Sequence, residues 1–444
     1  MRKLLKKISS AGRSKHTREE KKDRIHVAVI PVVKSEAQDE DIPYVPPRAS
    51  LEGLPVEIQS AVLLNICDIA SLQRLVHASP IYHSVYIRQR QAILERVLFN
   101  SIHSDVLYDA FAAITSRTTL TSNLEDRVAR VKAFLLEYKD DRNTWTSPEH
   151  LDLESVSRLA RLQNQVQHAT EDLCQQAFSS YPFIGNQVEI REQLSSNERR
   201  RFHRAFYRFE IFCTLFRDCQ SLSDALLEDG DITPELDSTE KSSLFLSLFN
   251  PWEVEELACV RDYFYNYYRR MLHKFEPDLR DRNPNVDLSD DGPWLEENIE
   301  YLMALSLRFY RRIEISSPDR QVGYLNYGLT CGSPSLSDAL KTPSWADVCQ
   351  YMATDEPVEI HFQGDKVRSG LNVMWLWTTG NTMDFGYFDW QNEPLREWGY
   401  VFWDQQRLKK WGVPDEEYET WVERRRARLR KALAEDPRKA GLML

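Results

Sequence analysis

Arg199, Arg200, Arg201, Arg204 and Arg208 are the residues best placed to hold an acidic ligand, because guanidinium forks match the oxygens of carboxylates and phosphates. In a chain with 68 acidic and 57 basic residues they read instead as a solvated face whose partners are surplus carboxylates. Asp287, Ser289, Asp291 and Gly292 open like a calcium loop. However, Asn298 stands where a bidentate Glu is needed and Pro293 falls inside the loop, so a plain acidic turn is expected. The ten histidines are scattered, and His77 with His83 is spaced poorly for two metal ligands on one helix. The chain has no Gly-x-x-x-x-Gly-Lys loop, dinucleotide glycine fingerprint, His-Glu-x-x-His or Gly-x-Ser-x-Gly elbow. The reading is therefore of a binding protein without catalytic residues, metal or cofactor.

Composition narrows the setting. The formal charge of −11 offers nucleic acid no overall attraction. Seven cysteines, odd in number and without a Cys-x-x-Cys pair, suit a reducing compartment, so an intracellular, cytoplasmic or nuclear location is expected. No apolar run reaches the roughly eighteen residues that a membrane span needs.

The elements that would present a binding surface are clearest at 50–98. Pro55 suits a first helical position, with Glu57 in the following turn favouring the helix dipole. On this helix Leu54, Ile58, Ala61, Val62 and Ile66 share one face, while Val56, Leu63 and Cys67 lie nearly opposite. One face serves a local core; the other wants a second surface. Asp68 or Ser71 caps a second helix carrying Leu72, Leu75 and Val76, and Ser79-Pro80 ends it. The same pair starts a third helix, with Ile81, Val85, Ile93 and Val97 on one side.

Leu54-Pro55, Glu57-Ile58, Val62-Leu63, Ile66, Asp68, Leu72, Leu75 and Ser79 together resemble the F-box motif, with Tyr82 where many family members have a Trp. The resemblance covers about a tenth of the chain and implies a three-helix unit that docks on the adaptor of a cullin-RING ubiquitin ligase. It would put Leu54, Pro55, Ile58, Val62, Leu63 and Ile66 in the adaptor interface and leave selection of a protein substrate to the rest of the chain. Ubiquitin chemistry would belong to other subunits. An internal scaffold, in which the F-box-like unit is packed permanently against the rest of the chain, stays open as the alternative.

The expected fold is mainly α, with a domain organisation in four parts. Residues 1–49 read as a disordered basic tail and Pro-rich linker, 50–98 as the F-box-like unit, 99–335 as a helical domain and 336–444 as a Trp-rich, mainly helical region. Ser195 and Glu198 form a capping box before a core helix with Phe202, Phe206, Phe209, Cys213 and Phe216 inward. Asn250-Pro251 starts a helix lined by Val254, Leu257, Phe264, Tyr268 and Met271. A single helix is expected over 293–312, with Ile299, Leu302, Met303, Phe309 and Tyr310 inward. Eight of the eleven tryptophans fall at or after Trp345, which makes the last stretch a packed aromatic core in expectation. Short strands are expected near 358–362 and 371–377, one amphipathic helix over 394–411 with Leu395, Trp398, Phe402 and Leu408 inside, and a basic helix at 424–431. This last region is similar to the C-terminal block of uncharacterised fungal F-box-like proteins, a resemblance that carries no activity.

Overall fold

The computed structural model describes residues 50–119, 124–141, 151–180, 193–216, 236–284, 288, 293–329, 336–341 and 393–411. The tail before 50, the expected strands, the expected basic helix and most of the acidic turn lie outside the described residues. Within them every regular element is helical, as the apolar periodicity requires.

The chain divides into two compact units, one ending at Val97 and the other starting at Leu98. The first holds a 3₁₀ turn at Leu51–Gly53, α1 (Val56–Leu64), α2 (Ile69–Ala78), α3 (Pro80–Arg88) and the start of α4 (Arg90–Ser101). Asp68 caps α2 by accepting the Ser71 N–H at 2.7 Å, and Ser79 caps α3 by accepting that of Tyr82 at 3.3 Å. The expected third helix is two helices, α3 and α4, separated at Gln89. Pro55 stands one residue before α1, where its carbonyl accepts the N–H groups of Ile58 and Gln59.

The second unit continues through α5 (Leu107–Thr115), α6 (Leu124–Asp141), α7 (Leu153–Ser179), α8 (Ser196–Phe216), α9 (Ser238–Phe245) and α10 (Pro251–Lys274). It ends with α11 (Glu276–Arg282), α12 (Pro293–Ala304), α13 (Ser306–Glu314), α14 (Pro318–Gly328), α15 (Leu336–Lys341), α16 (Glu393–Glu397) and α17 (Gln405–Trp411). α8 is its axis, packed by α5, α7, α10, α12 and α13. The capping box holds, with Ser195 Oγ accepting the Glu198 N–H at 3.1 Å and Glu198 accepting that of Ser195 at 2.9 Å. α10 begins with the matching device at Asn250 and Glu253. The segment 393–411 packs into this same unit, α16 lying on α10, so tryptophan content does not mark a separate body there.

Two expected helices of this second unit are broken as well. Between α12 and α13 the chain turns at Ser306, whose φ of 77° makes it the sole non-glycine residue with positive φ among the described residues. Over 394–411, Gly399 adopts φ 65° and separates α16 from a 3₁₀ turn at Tyr400–Phe402, which precedes α17. The inward set is nevertheless as expected, since Leu395, Trp398, Phe402 and Leu408 are all buried.

A helix surrounded on all sides is normally apolar all round. α8 is instead buried with its charges. Arg201 reaches Asp404 at 2.8 Å and the Phe402 carbonyl at 2.9 Å, and Arg204 forks onto Glu256 at 2.5 and 2.9 Å. Arg208 sits between Asp109 at 3.2 Å and Glu253 at 3.3 Å, and Arg200 meets Asp105 at 3.2 Å. The solvated arginine face is thus corrected for Arg200, Arg201, Arg204 and Arg208, which are buried because carboxylates from distant segments close over them, while Arg199 is exposed as expected.

His203, on the same helix, is pushed down to about 3 from its ordinary 6.5 by burial, with the charge of Arg199 adding to the effect. A base whose folded pKa is depressed takes up its proton only on unfolding, so its contribution is intact above about pH 6.5 and lost as pH falls below it. The loss is about 1.4 kcal/mol per unit, or about 2 kcal/mol between pH 6.5 and pH 5. Melting temperatures at pH 7 and pH 5 should therefore lie further apart in the wild type than in His203→Gln. Equal gaps in the two proteins would refute this origin of acid sensitivity.

Candidate functional site

The six residues expected to meet an adaptor do not share one environment. Pro55 and Ile58 are exposed, Leu54, Val62 and Ile66 are half-buried, and Leu63 is fully buried. The inward face of α1 is Gln59, Ser60 and Leu63. Gln59 donates from Nε2 to the carbonyls of Glu52 at 3.0 Å and Leu54 at 2.8 Å, and Ser60 accepts from Gln89 at 3.1 Å. Polar anchors occupying the core side turn Val56 and Ile58 outward, 44% and 48% exposed. Leu63 is thus fully buried within this unit, and the face that carries Ile58 and Ala61 is in part the outer one.

The 3₁₀ turn ahead of α1 is held by α3. Ser79 donates to Glu52, and the Tyr82 hydroxyl donates to the Leu51 carbonyl at 3.2 Å. Tyr82 is fully buried, so its phenol serves as both core filler and tether. Leu51 itself is 61% exposed. Four of the eight large apolar side chains exposed among the described residues, Leu51, Val56, Ile58 and Ile87, belong to this small unit. Such concentration marks an interaction surface more than scattered exposure would.

A second site lies in the other unit. A groove of about 930 Å³ runs between α13, α14, the C-terminal part of α8 and the 3₁₀ turn Ser116–Thr119. Its charged lining is Arg117, Arg308, Arg312, Arg320 and the single carboxylate Asp319. Arg117 is matched by the fully buried Glu210 at 3.0 Å, whose other oxygen accepts the Leu307 N–H at 3.1 Å. Glu210 thereby caps α13 directly beside Ser306, which also lines the groove. A non-glycine residue at positive φ costs about 1–3 kcal/mol and persists where the surroundings over-determine it. Phe309 and Tyr324 meet edge-on at 6.1 Å, and the Arg312 guanidinium stands 5.7 Å over the Tyr324 ring. Sequence reasoning does not find this groove, because Arg308 and Arg312, one helical turn apart, fall at the end of the stretch 293–312 expected to be a single helix. No family model, curated protein or solved structure matches the chain.

Proposed function

We propose that the chain is the substrate-selecting subunit of a cullin-RING ubiquitin ligase, with the ligase adaptor seated on the outer side of α1. The observation that carries this reading is the grouping of Leu51, Pro55, Val56 and Ile58 as exposed apolar residues at the start of an F-box-like sequence. Contacts there would be made by Leu51, Leu54, Pro55, Val56 and Ile58, with Val62 and Ile66 at the margin. In this reading the second unit recruits the protein substrate and the chain itself performs no catalysis.

Affinity purification of the full chain with quantitative mass spectrometry tests this. The adaptor and a cullin should come down with the wild type. Pro55→Ala combined with Ile58→Asp should reduce their recovery at least about tenfold, since interfaces concentrate their energy in a few central apolar residues. The melting temperature should hardly change, because both side chains are exposed. Failure of the wild type to recover either subunit sinks the ligase reading and leaves a helical scaffold.

A further inference from the structure

Three of the groove's guanidiniums have no carboxylate partner among the described residues. Arg308 and Arg312 project from α13 and Arg320 from the first turn of α14; Asp319 pairs with none of them. Like charges gathered without counter-charge disfavour the empty protein, and a cleft lined by one sign concentrates oppositely charged solutes. Partial burial, and after it the neighbouring charges of Arg312, Arg117 and Arg161, push the Arg308 pKa down against a smaller opposing pull from Glu210. The volume lies within the range of small-molecule sites and exceeds what a single phosphate fills. Its aromatic wall, Phe309, Tyr324 and the 60% exposed Tyr327, adds flat apolar surface next to the charges.

We infer that this groove binds a small polyanion, a molecule carrying two or more phosphate or carboxylate groups held by Arg308, Arg312 and Arg320. The guanidinium fork accepts both oxyanion types bidentately, so the donor set specifies charge and oxygen geometry. Three unmatched cations against Asp319 call for at least two negative charges on the ligand. Glu210 has a positioning role: it neutralises Arg117 and fixes the start of α13, which aims Arg308 and Arg312 from one face. This inference is independent of the adaptor reading, since it concerns the second unit alone.

The test is isothermal titration of the full chain at 0.15 M salt with inorganic tripolyphosphate, ATP and citrate as separate probes. At least one should bind with Kd below about 0.1 mM, and raising the salt to 0.5 M should weaken it. Tripolyphosphate and citrate separate phosphate from carboxylate preference, and tighter binding of ATP than of tripolyphosphate would show use of the aromatic wall. Arg308→Gln with Arg312→Gln should weaken binding at least about tenfold while keeping or raising the ligand-free melting temperature, because repulsion is relieved. Should that pair fail to fold, Arg320→Gln, at an exposed position, should lower affinity by itself. Arg158→Gln, on the exposed side of α7 where Arg158 pairs with Glu154, should leave binding unchanged. No heat with any probe at 1 mM, or binding that survives the arginine substitutions, overturns the inference.

Discussion

Arg208→Leu should cost the second unit about 3–5 kcal/mol, the scale set by removing one partner from a buried charge network. The side chain is buried and its guanidinium lies 3.2 Å from Asp109, 3.3 Å from Glu253 and 4.1 Å over the Phe249 ring. Burial by itself would lower its pKa, but Asp109 and Glu253 reverse that and raise it, so the cation is firmly held. Without it Asp109 keeps the Tyr138 hydroxyl, and Glu253 keeps Arg204 at 2.9 Å. The expected loss comes from the buried negative charge left on Asp109 without its guanidinium more than from any large intrinsic strength of the ion pair, whose desolvation offsets much of its attraction. A second substitution separates these contributions. Arg208→Leu with Asp109→Asn should recover part of the loss, because one buried charge disappears with its partner. Urea unfolding monitored by circular dichroism gives both numbers, and a single-variant loss under about 1 kcal/mol would show that the network is solvated in solution.

Trp403→Ala should be comparably damaging, about 3–5 kcal/mol, as for other fully buried aromatics. Its ring stacks on Phe178 at 5.1 Å and meets Phe202 edge-on at 5.7 Å and Trp411 at 5.5 Å. Its indole N–H donates to the Trp398 carbonyl at 2.9 Å, which braces the bend made at Gly399. Trp403→Phe keeps most of the apolar contact and forfeits that bond, so it should cost clearly less. Melting temperature and soluble yield are the readouts. A variant with wild-type stability and a selective loss of one bound partner would instead make this cluster a recognition surface.

The contrast between what was readable and what was not follows from sequence distance. The mainly helical class is written in local signals: caps at Ser195 and Asn250, and apolar positions recurring along α8 and α10, are satisfied within a few residues of one another. Burial of the α8 arginines is not local, because Asp109 lies 99 residues from Arg208 and Glu256 lies 52 from Arg204. Nothing adjacent distinguishes such an arginine from one facing water. The outward turn of Ile58 depends likewise on Gln59 reaching back to Glu52, a choice of polar anchor that a hydrophobic pattern does not contain. The break at Ser306 has neither glycine nor proline to announce it; it is held by Glu210, 97 residues away from Leu307. Gly399, by contrast, was a visible breaker inside the stretch read as one helix.

Glu198 joins the two ends of this arithmetic. Its buried carboxylate accepts from Arg407 at 2.6 and 2.7 Å and from the Asp404 N–H at 3.0 Å, across a separation of 209 residues for Arg407. At translation rates of about 5–20 residues per second, about 10–40 s pass between synthesis of α8 and that of its last ionic partners. During that interval the nascent chain carries Glu198 and Arg201 without the charges that Arg407 and Asp404 bring at its end. The first unit, whose tethers span 27 to 31 residues, closes within seconds of emerging from the ribosome by the same reckoning. Biosynthesis thus completes the first unit early and leaves the second unit dependent on shielding until its final helices arrive.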